Sequence, residues 1–302
     1  MKIGLLGTNG LLSSNIGLYC SNSGYELNMF GKNIPLNHSY SSFTPMNLLD
    51  NSLLYDFLIK NDIIIYAAGA GIQSDFKENT DLIYSLNVFV PLKICIRLKE
   101  LNYQGIFVTF GSYFEIGTNT DDRTFTEDEV LNSHLNVFSD YTISKRMLSR
   151  FISSFHSSFR NWHFILPTIY GENESEHRLI PYTLKSIRNH TDLHFTSGEQ
   201  VRQYIYVDEI STIIFKAVEK ELENGIYNIS GTESYSVREI VSLLFNLMRT
   251  ELPSHIFGTV QRADTGMKIL KLNAEKLYHK LNFYPSITVS DTYLKYLYKT
   301  VK

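Results

Sequence analysis

Apolar positions along the chain fall into short runs separated by longer stretches of helical period. IGLL (3–6), bounded by a lysine and a glycine, reads as a first strand. LLSSNIGLYCSNSG (11–24) is helical and stops at Gly24. ELNMFG (26–31) is a second strand, and SLLYDFLI (52–59) a helical segment. DIIIYAAG (62–69) and GIFVTFGS (105–112) are unbroken apolar runs between turn residues, the pattern of strands buried on both faces. Between them, NTDLIYSLNVFVPLKICIRLKELN (79–102) is a helix that Pro91 should bend. DYTISKRMLSRFISSF (140–155) is a further helix and HFILPTIYG (163–171) a strand. QYIYVDEI (203–210) is a strand running into a helix with Asp208 as its N-cap. Ser236 and Glu239 form a capping box at the head of VREIVSLLFNLM (237–248).

This alternation predicts an α/β fold, a doubly wound and mostly parallel sheet with helices on both faces and right-handed crossovers. The polar stretch TNTDDRTFTEDEVLNSH (118–134) is a loop long enough to be functional. The 302 residues suffice for one large domain or two small ones. A formal net charge of -3 offers no basic field for nucleic acid. Cys20 and Cys95 lie far apart without ligand spacing, so free buried thiols are expected, with neither disulfide nor metal. No apolar run approaches the roughly 18 residues of a membrane span, and no leader pattern precedes the first strand. The expected location is the cytoplasm, with no membrane partner.

KIGLLGTNGLLSSNI (2–16) joins a strand, a turn and a helix start. A dinucleotide-binding fingerprint needs those parts, with the helix N-terminus facing the pyrophosphate. Gly7 would allow the tight turn and Gly10 a close backbone approach to phosphate. Ser13 stands where a third glycine would pack helix on strand, straining that packing without forbidding it. Alone, the loop fits an ordinary strand-turn-helix equally well. An acid at the end of the second strand would bind a ribose 2′-hydroxyl. MFGKN (29–33) has none. Lys32 can pair with a 2′-phosphate, which points to NADP(H) over NAD(H); a solvated surface lysine is the other reading.

Tyr141 and Lys145, at i and i+4, share a helix face. An ammonium beside a phenol stabilises phenolate and should lower the tyrosine pKa toward working pH. Such a tyrosine can exchange a proton with a sugar or alcohol oxygen. The spacing alone is cheap among 20 tyrosines, and Tyr298 with Lys302 repeats it. Position separates the pairs, because Tyr141 opens the helix after the fourth strand. That strand ends at Ser112, where ligands gather in open α/β sheets. Its hydroxyl could hold the same substrate oxygen; a plain turn serine is the alternative.

In this order the glycine loop, Ser112, Tyr141 and Lys145 resemble the extended short-chain dehydrogenase/reductases. More narrowly, essentially the whole chain resembles the NAD(P)-dependent nucleotide-sugar epimerase/dehydratase family. DIIIYAAGAG (62–71) is similar to that family's cofactor-lining segment and Asn87-Val88 to its Asn-Val helix start. FVTFGSYFEIG (107–117) resembles the strand carrying the catalytic Ser/Thr, and LPTIYGEN (166–173) the turn that meets the nicotinamide. GEQVRQYIYVDEI (198–210) resembles the segment whose arginine binds a nucleotide phosphate, which implies Arg202 on the diphosphate. NGIYNISGTESYSVREIV (224–241) and QRAD (261–264) continue the match, with Arg262 implied as second phosphate partner. Guanidinium suits phosphate oxygens in bidentate fashion; surface salt bridges are the alternative use of both arginines.

Carried over residue by residue, the resemblance implies Ser112, Tyr141 and Lys145 as catalytic. It implies cofactor contacts at Gly7, Asn9, Gly10, Leu11, Leu12, Lys32, Asn47, Leu48, Ala67, Ala68, Gly69, Asn87, Tyr141, Lys145, Pro167 and Ile169. Substrate contacts would be Ser112, Tyr113, Thr168, Leu179, Arg202 and Arg262. A Rossmann-type NADP-binding domain would comprise 1–166 with about 201–230, and a smaller mixed α/β nucleotide-sugar-binding subdomain about 167–200 and 231–302. Family members usually dimerise through two helices, here near 80–100 and 141–157, which implies a homodimer. Met147, Leu148, Phe151, Ile152 and Phe155 on the second could equally face the sheet.

TSGEQVRQYIYVDEI (196–210) and HIFGTVQRAD (255–264) resemble the CDP-abequose and CDP-paratose synthase group, which reduces a nucleotide-linked 4-keto-6-deoxyhexose. A 4,6-dehydratase of the family carries Asp-Glu directly after the catalytic Ser/Thr; here Tyr113 and Phe114 stand there, and Glu115 comes one place late. The implied activity is an NADPH-dependent 4-ketoreductase in nucleotide-sugar biosynthesis for surface polysaccharide such as lipopolysaccharide O-antigen, acting on a CDP-, dTDP- or GDP-linked sugar. Two alternatives stay open. An epimerase would hold its NAD(P) tightly and take back the same hydride. A non-catalytic NADP(H)-binding sensor or scaffold would need the loop but neither Tyr141 nor Lys145.

Overall fold

The structure, a computed structural model, describes residues 1–302 apart from 37, 51–52, 72–78, 262–265 and 300–302. The first half runs β1 (Lys2–Leu6), α1 (Leu11–Asn22), β2 (Glu26–Gly31), β3 (Ser42–Pro45), α2 (Tyr55–Leu58), β4 (Ile63–Tyr66), α3 (Thr80–Tyr84), α4 (Val90–Glu100) and β5 (Ile106–Ser112). It continues through α5 (Glu127–Leu131), α6 (Asp140–Ser154), β6 (Arg160–Leu166), β7 (Thr168–Tyr170), α7 (Leu179–Asn189), β8 (Val201–Tyr206), α8 (Val207–Glu219) and β9 (Gly225–Asn228). The chain closes with β10 (Glu233–Ser236), α9 (Val237–Leu247), β11 (Ile269–Leu270), α10 (Glu275–Leu281) and α11 (Val289–Lys299).

Seven strands pair in parallel in the order β3-β2-β1-β4-β5-β6-β9. This is the expected Rossmann-type α/β sheet, and β1 and β4 flank its topological switch point. Every residue of β4 and β5 is buried, because helices cover both faces of a parallel sheet. Alternate residues enter opposite cores. Ile63 and Ile65 pack with Ile213 and Phe215 of α8, while Ile64 packs with Ile94 of α4 and Leu148 of α6. A smaller mixed sheet has β8 antiparallel to β10 and parallel to β11 and β7.

Several expectations change in three dimensions. The strand expected over 163–171 breaks at Pro167, so β6 joins the large sheet and β7 the small one. Proline offers no N–H to continue a ladder. Within 201–230, β8 belongs to the small sheet, whereas β9 belongs to the large one. Tyr206, not Asp208, caps α8; Asp208 lies in its first turn and accepts from Asn15 of α1. The helix over 79–102 divides into α3, a π turn at Ser85–Phe89, and α4 with Pro91 in its first turn. Pro91 cannot donate backward, and the turn ahead widens, with Val90 N–H reaching the Ser85 carbonyl. The helical segment at 52–59 contracts to α2, with 52 outside the described residues. The polar 118–134 stretch contains α5, capped reciprocally by Thr126 and Glu129.

Ser236 and Glu239 form their capping box as expected. Cys20 and Cys95 are free and buried, and burial pushes the Cys20 thiol up to about 12. On α6, Leu148 and Ile152 enter the core and Met147 is exposed, with Phe151 and Phe155 partly buried. Among the described residues no helix is long and apolar enough to cross a membrane, and no cluster of three His, Cys, Asp or Glu side chains could hold a metal.

Candidate active site

The site begins where β1 ends. Gly7 turns the chain at φ +104°, a conformation that favours glycine, and its missing Cβ would sit 3.1 Å from the Ala68 nitrogen. The β1 and β4 ends can therefore approach. Gly10 precedes α1, and the fully buried Ser13 hydroxyl accepts from Gly10 N–H at 3.0 Å and donates to the Gly10 carbonyl at 3.1 Å. At the third-glycine position the serine hydroxyl closes the turn. Asn9 donates to the Ile34 carbonyl and accepts from Leu36 N–H, tying the loop after β2 to the glycine loop. Lys32 is exposed just beyond β2.

At the carboxyl ends of β4 and β5 lies a cavity of about 230 Å³. Gly10, Leu11 and Leu12 form one wall, Ala67, Ala68, Gly69 and Asn87 another, and Ser112, Tyr113, Tyr141 and Lys145 a third. Pro167, Thr168 and Ile169 close it. The sequence reading missed Tyr66, Phe110, Gly111, Phe114, Leu148, Leu166 and Arg178, which also line it. Arg178 pairs with Glu174 at 3.0 Å and donates to the Ile169 carbonyl at 2.9 Å; their i, i+4 spacing was the available signal.

Gly7, Asn9 and Lys32 stand outside these walls, as do Asn47 and Leu48. Asn47 bonds to Asp50, and Leu48 packs on the core. Leu179 and Arg202 meet instead in a neighbouring cavity of about 110 Å³ with His177, His194, Thr196 and Gln200. Arg202 is buried and donates to the Val201 and Met267 carbonyls at 2.9 and 2.8 Å. Its guanidinium lies 5.8 Å from the Phe114 ring, which also meets Tyr113 at 5.0 Å and Tyr141 at 6.4 Å, both edge-on. Arg262 and Lys302 lie outside the described residues.

Asn87 lines the cavity, but its polar groups are committed. It donates to the Ala70 carbonyl and the Ser144 hydroxyl and accepts from Ala70 N–H. It therefore shapes the wall by clamping the turn after β4 to α6. Ser112 heads a 3-10 turn, Tyr113–Ile116, and its N–H donates to Glu115 Oε1 at 2.7 Å. The Tyr113 and Thr168 hydroxyls meet at 2.5 Å across the cavity wall.

Lys145, 8% exposed, donates to the Phe110 carbonyl at 2.9 Å, with Nζ 5.8 Å from the Tyr141 ring centre. Burial pulls its amine down to about 8, opposed by the charge of Glu115. Burial pushes the Tyr141 phenol up to about 12, opposed by the facing Ser112 hydroxyl and by Arg178. The expected lowering of the phenol is thus reversed. The ammonium is aimed at a strand carbonyl, and desolvation outweighs the remaining charges.

Beneath this wall, His163 is fully buried between the Thr109 hydroxyl at 2.8 Å and the Ser149 hydroxyl at 2.9 Å. Burial, with the charge of Lys145, pulls it from 6.5 down to about 3. The unfolded chain takes up that proton near pH 6.5, the folded chain only near 3, so stability should fall as pH drops through this window. His163→Gln should flatten that dependence, read from urea unfolding at pH 7 and pH 5; an unchanged slope would remove His163 as its source.

Gly10, Leu11 and Leu12 stand at the N-terminus of a 12-residue helix, where aligned peptide dipoles favour an anion. With the glycine turn and the small Ala67–Gly69 edge, these residues fit a dinucleotide phosphate.

Comparison with known proteins agrees with the fold. Residues 3–230 match the model of the NAD dependent epimerase/dehydratase family. A CDP-abequose synthase of Salmonella muenchen is 24% identical over 181 residues, 57% of this chain and 57% of that protein. A dTDP-D-glucose 4,6-dehydratase of Dictyostelium discoideum is 24% identical over 245 residues, 76% of this chain and 54% of that protein. The chain thus spans about half the length of these two curated relatives. The crystal structure of a dTDP-glucose 4,6-dehydratase from Bacillus anthracis, in complex with NAD, superposes with a TM-score of 0.82 at 18% identity, covering 100% of this chain and 97% of that one.

Proposed function

The chain belongs to the NAD dependent epimerase/dehydratase family, and we propose that within it the protein reduces a nucleotide-linked 4-keto-6-deoxyhexose with NADPH. The observation that carries this reading is the meeting of Ser112, Tyr141 and Lys145 on one cavity with the start of α1. Bound there, the reduced nicotinamide supplies the hydride. Tyr141 gives its proton to the developing alkoxide at C4, Ser112 orients the carbonyl oxygen, and Lys145 holds the nicotinamide ribose. A phenol that keeps its proton at neutral pH suits a donor.

Elimination of water needs acids at the cavity wall just after Ser112. Tyr113 and Phe114 line the wall there, and Glu115 is turned inward onto Ser112 N–H. The absence of an acid after β2 and the exposed Lys32 support NADP(H) over NAD(H). The cavity holding Arg202 and Leu179 supports a site for the nucleotide end of a CDP-, dTDP- or GDP-linked sugar. Exposed Ile96 of α4 and Ile143 and Met147 of α6 support the homodimer expected of these helices.

The test is incubation with CDP-, dTDP- and GDP-linked 4-keto-6-deoxyhexoses and NADPH. One equivalent of NADPH oxidised per sugar supports the reductase. An epimer formed without net cofactor use makes the protein an epimerase, and cofactor binding without turnover leaves a sensor. Lys32→Ala should raise KM for NADPH about tenfold through loss of a charge-assisted phosphate contact, while KM for NADH stays unchanged. Equal effects on both cofactors would remove Lys32 from the 2′-phosphate.

A further inference from the structure

The segment between β7 and α7, GENESEHR (171–178), carries glutamates at alternate positions. Helix α11, near the far end of the chain, holds two of them. The Tyr296 hydroxyl donates to Glu174 Oε1 at 2.6 Å. Lys295, the preceding residue, donates to the Tyr206 hydroxyl at 2.8 Å, and that hydroxyl donates to Glu172 Oε1 at 2.8 Å. The Tyr296 ring is buried in the cluster that contains Tyr170, Ile180 and Leu184. Its hydroxyl therefore has a fixed place from which to reach Glu174.

The other oxygen of Glu174 holds Arg178. Oε2 lies 3.0 Å from Arg178 Nε, and the Glu174 side chain is only 2% exposed. Arg178 Nη2 donates to the Ile169 carbonyl at 2.9 Å. Two edges of the guanidinium are thus fixed, while Nη1 has no partner among the described residues. Arg178 lines the cavity of Ser112, Tyr141 and Lys145, and Leu179, the next residue, lines the cavity of Arg202. This point of the chain therefore marks where the two cavities adjoin. A nucleotide sugar with its ketone at Tyr141 and its base beside Leu179 would carry its diphosphate past Arg178. A planar, permanently charged guanidinium suits phosphate oxygens, and one held in place before binding loses less side-chain freedom when the anion arrives.

We propose that α11 sets the substrate affinity of the site: Tyr296 orients Glu174, and Glu174 locks the Arg178 guanidinium where the diphosphate crosses between the cavities. Neither Glu174 nor Tyr296 lines the cavity of Tyr141, so both are positioning residues that act through Arg178. The inference rests on the nucleotide-sugar reading given above.

The experiment is a double-mutant cycle. Tyr296→Phe keeps the ring in its cluster and removes only the hydroxyl. It should raise KM for the nucleotide-linked ketosugar about tenfold, the scale of a hydrogen bond to a charged group, with kcat and KM for NADPH unchanged. In an Arg178→Met background the same substitution should change KM less than about twofold, because the two residues act as one unit. A merely structural hydroxyl would weaken both backgrounds alike, and equal effects in the two overturn the proposal. Glu174→Gln, which keeps an acceptor for Tyr296 and drops the ion pair, gives the same comparison where Tyr296→Phe does not fold. Calorimetric titration with CDP, dTDP and GDP reads the coupling without turnover. If the Tyr296 effect on Kd depends on Arg178 in a protein that reduces no ketosugar, the positioning by α11 stands and the assigned reaction is refuted. If ketosugar is reduced but the two effects are additive, the reaction stands and the positioning is refuted.

Discussion

Tyr141→Phe is expected to lower the rate of NADPH oxidation by about 10³-fold, within the range that positioned general acids contribute. NADPH binding should stay almost intact. The substitution removes one oxygen and keeps the ring that packs edge-on against Phe114 at 6.4 Å. The wall keeps its shape, and the ketone loses its proton donor. Stopped-flow absorbance of NADPH with the ketosugar measures the first effect, and fluorescence titration the second. Turnover equal to that of the unaltered protein would exclude Tyr141 from the chemistry. Weakened cofactor binding with no separate loss of rate would recast the hydroxyl as a binding group.

Gly231→Ala should be the most damaging single-methyl change to stability. Its Cβ would lie 1.5 Å from the Tyr204 carbonyl oxygen and 2.4 Å from its carbon. No rotamer change relieves a clash with backbone. Tyr204 sits within β8, paired with Glu233 on one side and Thr168 on the other. The segment between β9 and β10 crosses β8 at this point, so the methyl group pries the small sheet from its connection to the large one. The expected loss is about 4 kcal/mol or more, in the range of severe packing defects, or about 10 °C in Tm for a chain of this size. Gly24→Ala is the comparison. Gly24 has φ +70° and nothing within 4 Å of its would-be Cβ, so it should cost only about 1 kcal/mol, from backbone conformation alone. Equal losses in the two variants would rule out the close approach to β8 as a source of stability.

Much of the large sheet was legible in one dimension. The strands through 62–69 and 105–112 were read from unbroken apolar runs, because a strand covered on both faces has no polar side to show. The glycine loop was legible because a strand-to-helix turn demands special backbone at Gly7. Ser112, Tyr141 and Lys145 were legible from strand end and helix spacing, and they meet on one cavity. The small sheet was not. Nothing local separates β6 from β7 except Pro167, and nothing local assigns β8 to a different sheet from β9. Those choices depend on partners far along the chain: Val201 beside Ile269, and Tyr204 beside Thr168.

The electrostatics of the site were also hidden, and one expectation had the wrong sign. From spacing, Lys145 should acidify Tyr141; in the fold the phenol is pushed up to about 12 and the amine down to about 8. Spacing tells which side chains share a face but not how much water either retains. Glu115 looked like a misplaced acid because its register was visible and its inward turn onto Ser112 N–H was not.

By itself, the sequence determined the parallel α/β order, the glycine turn between β1 and α1, and the residue types that meet at the carboxyl end of the sheet, since periodicity, turn chemistry and helix spacing are properties of neighbours in the chain. Only the tertiary structure decided which strands form the second sheet, which arginine lines which cavity, and which groups keep their protons. Those outcomes depend on desolvation and on charges brought together from distant segments, and such distances exist only once the chain has closed on itself.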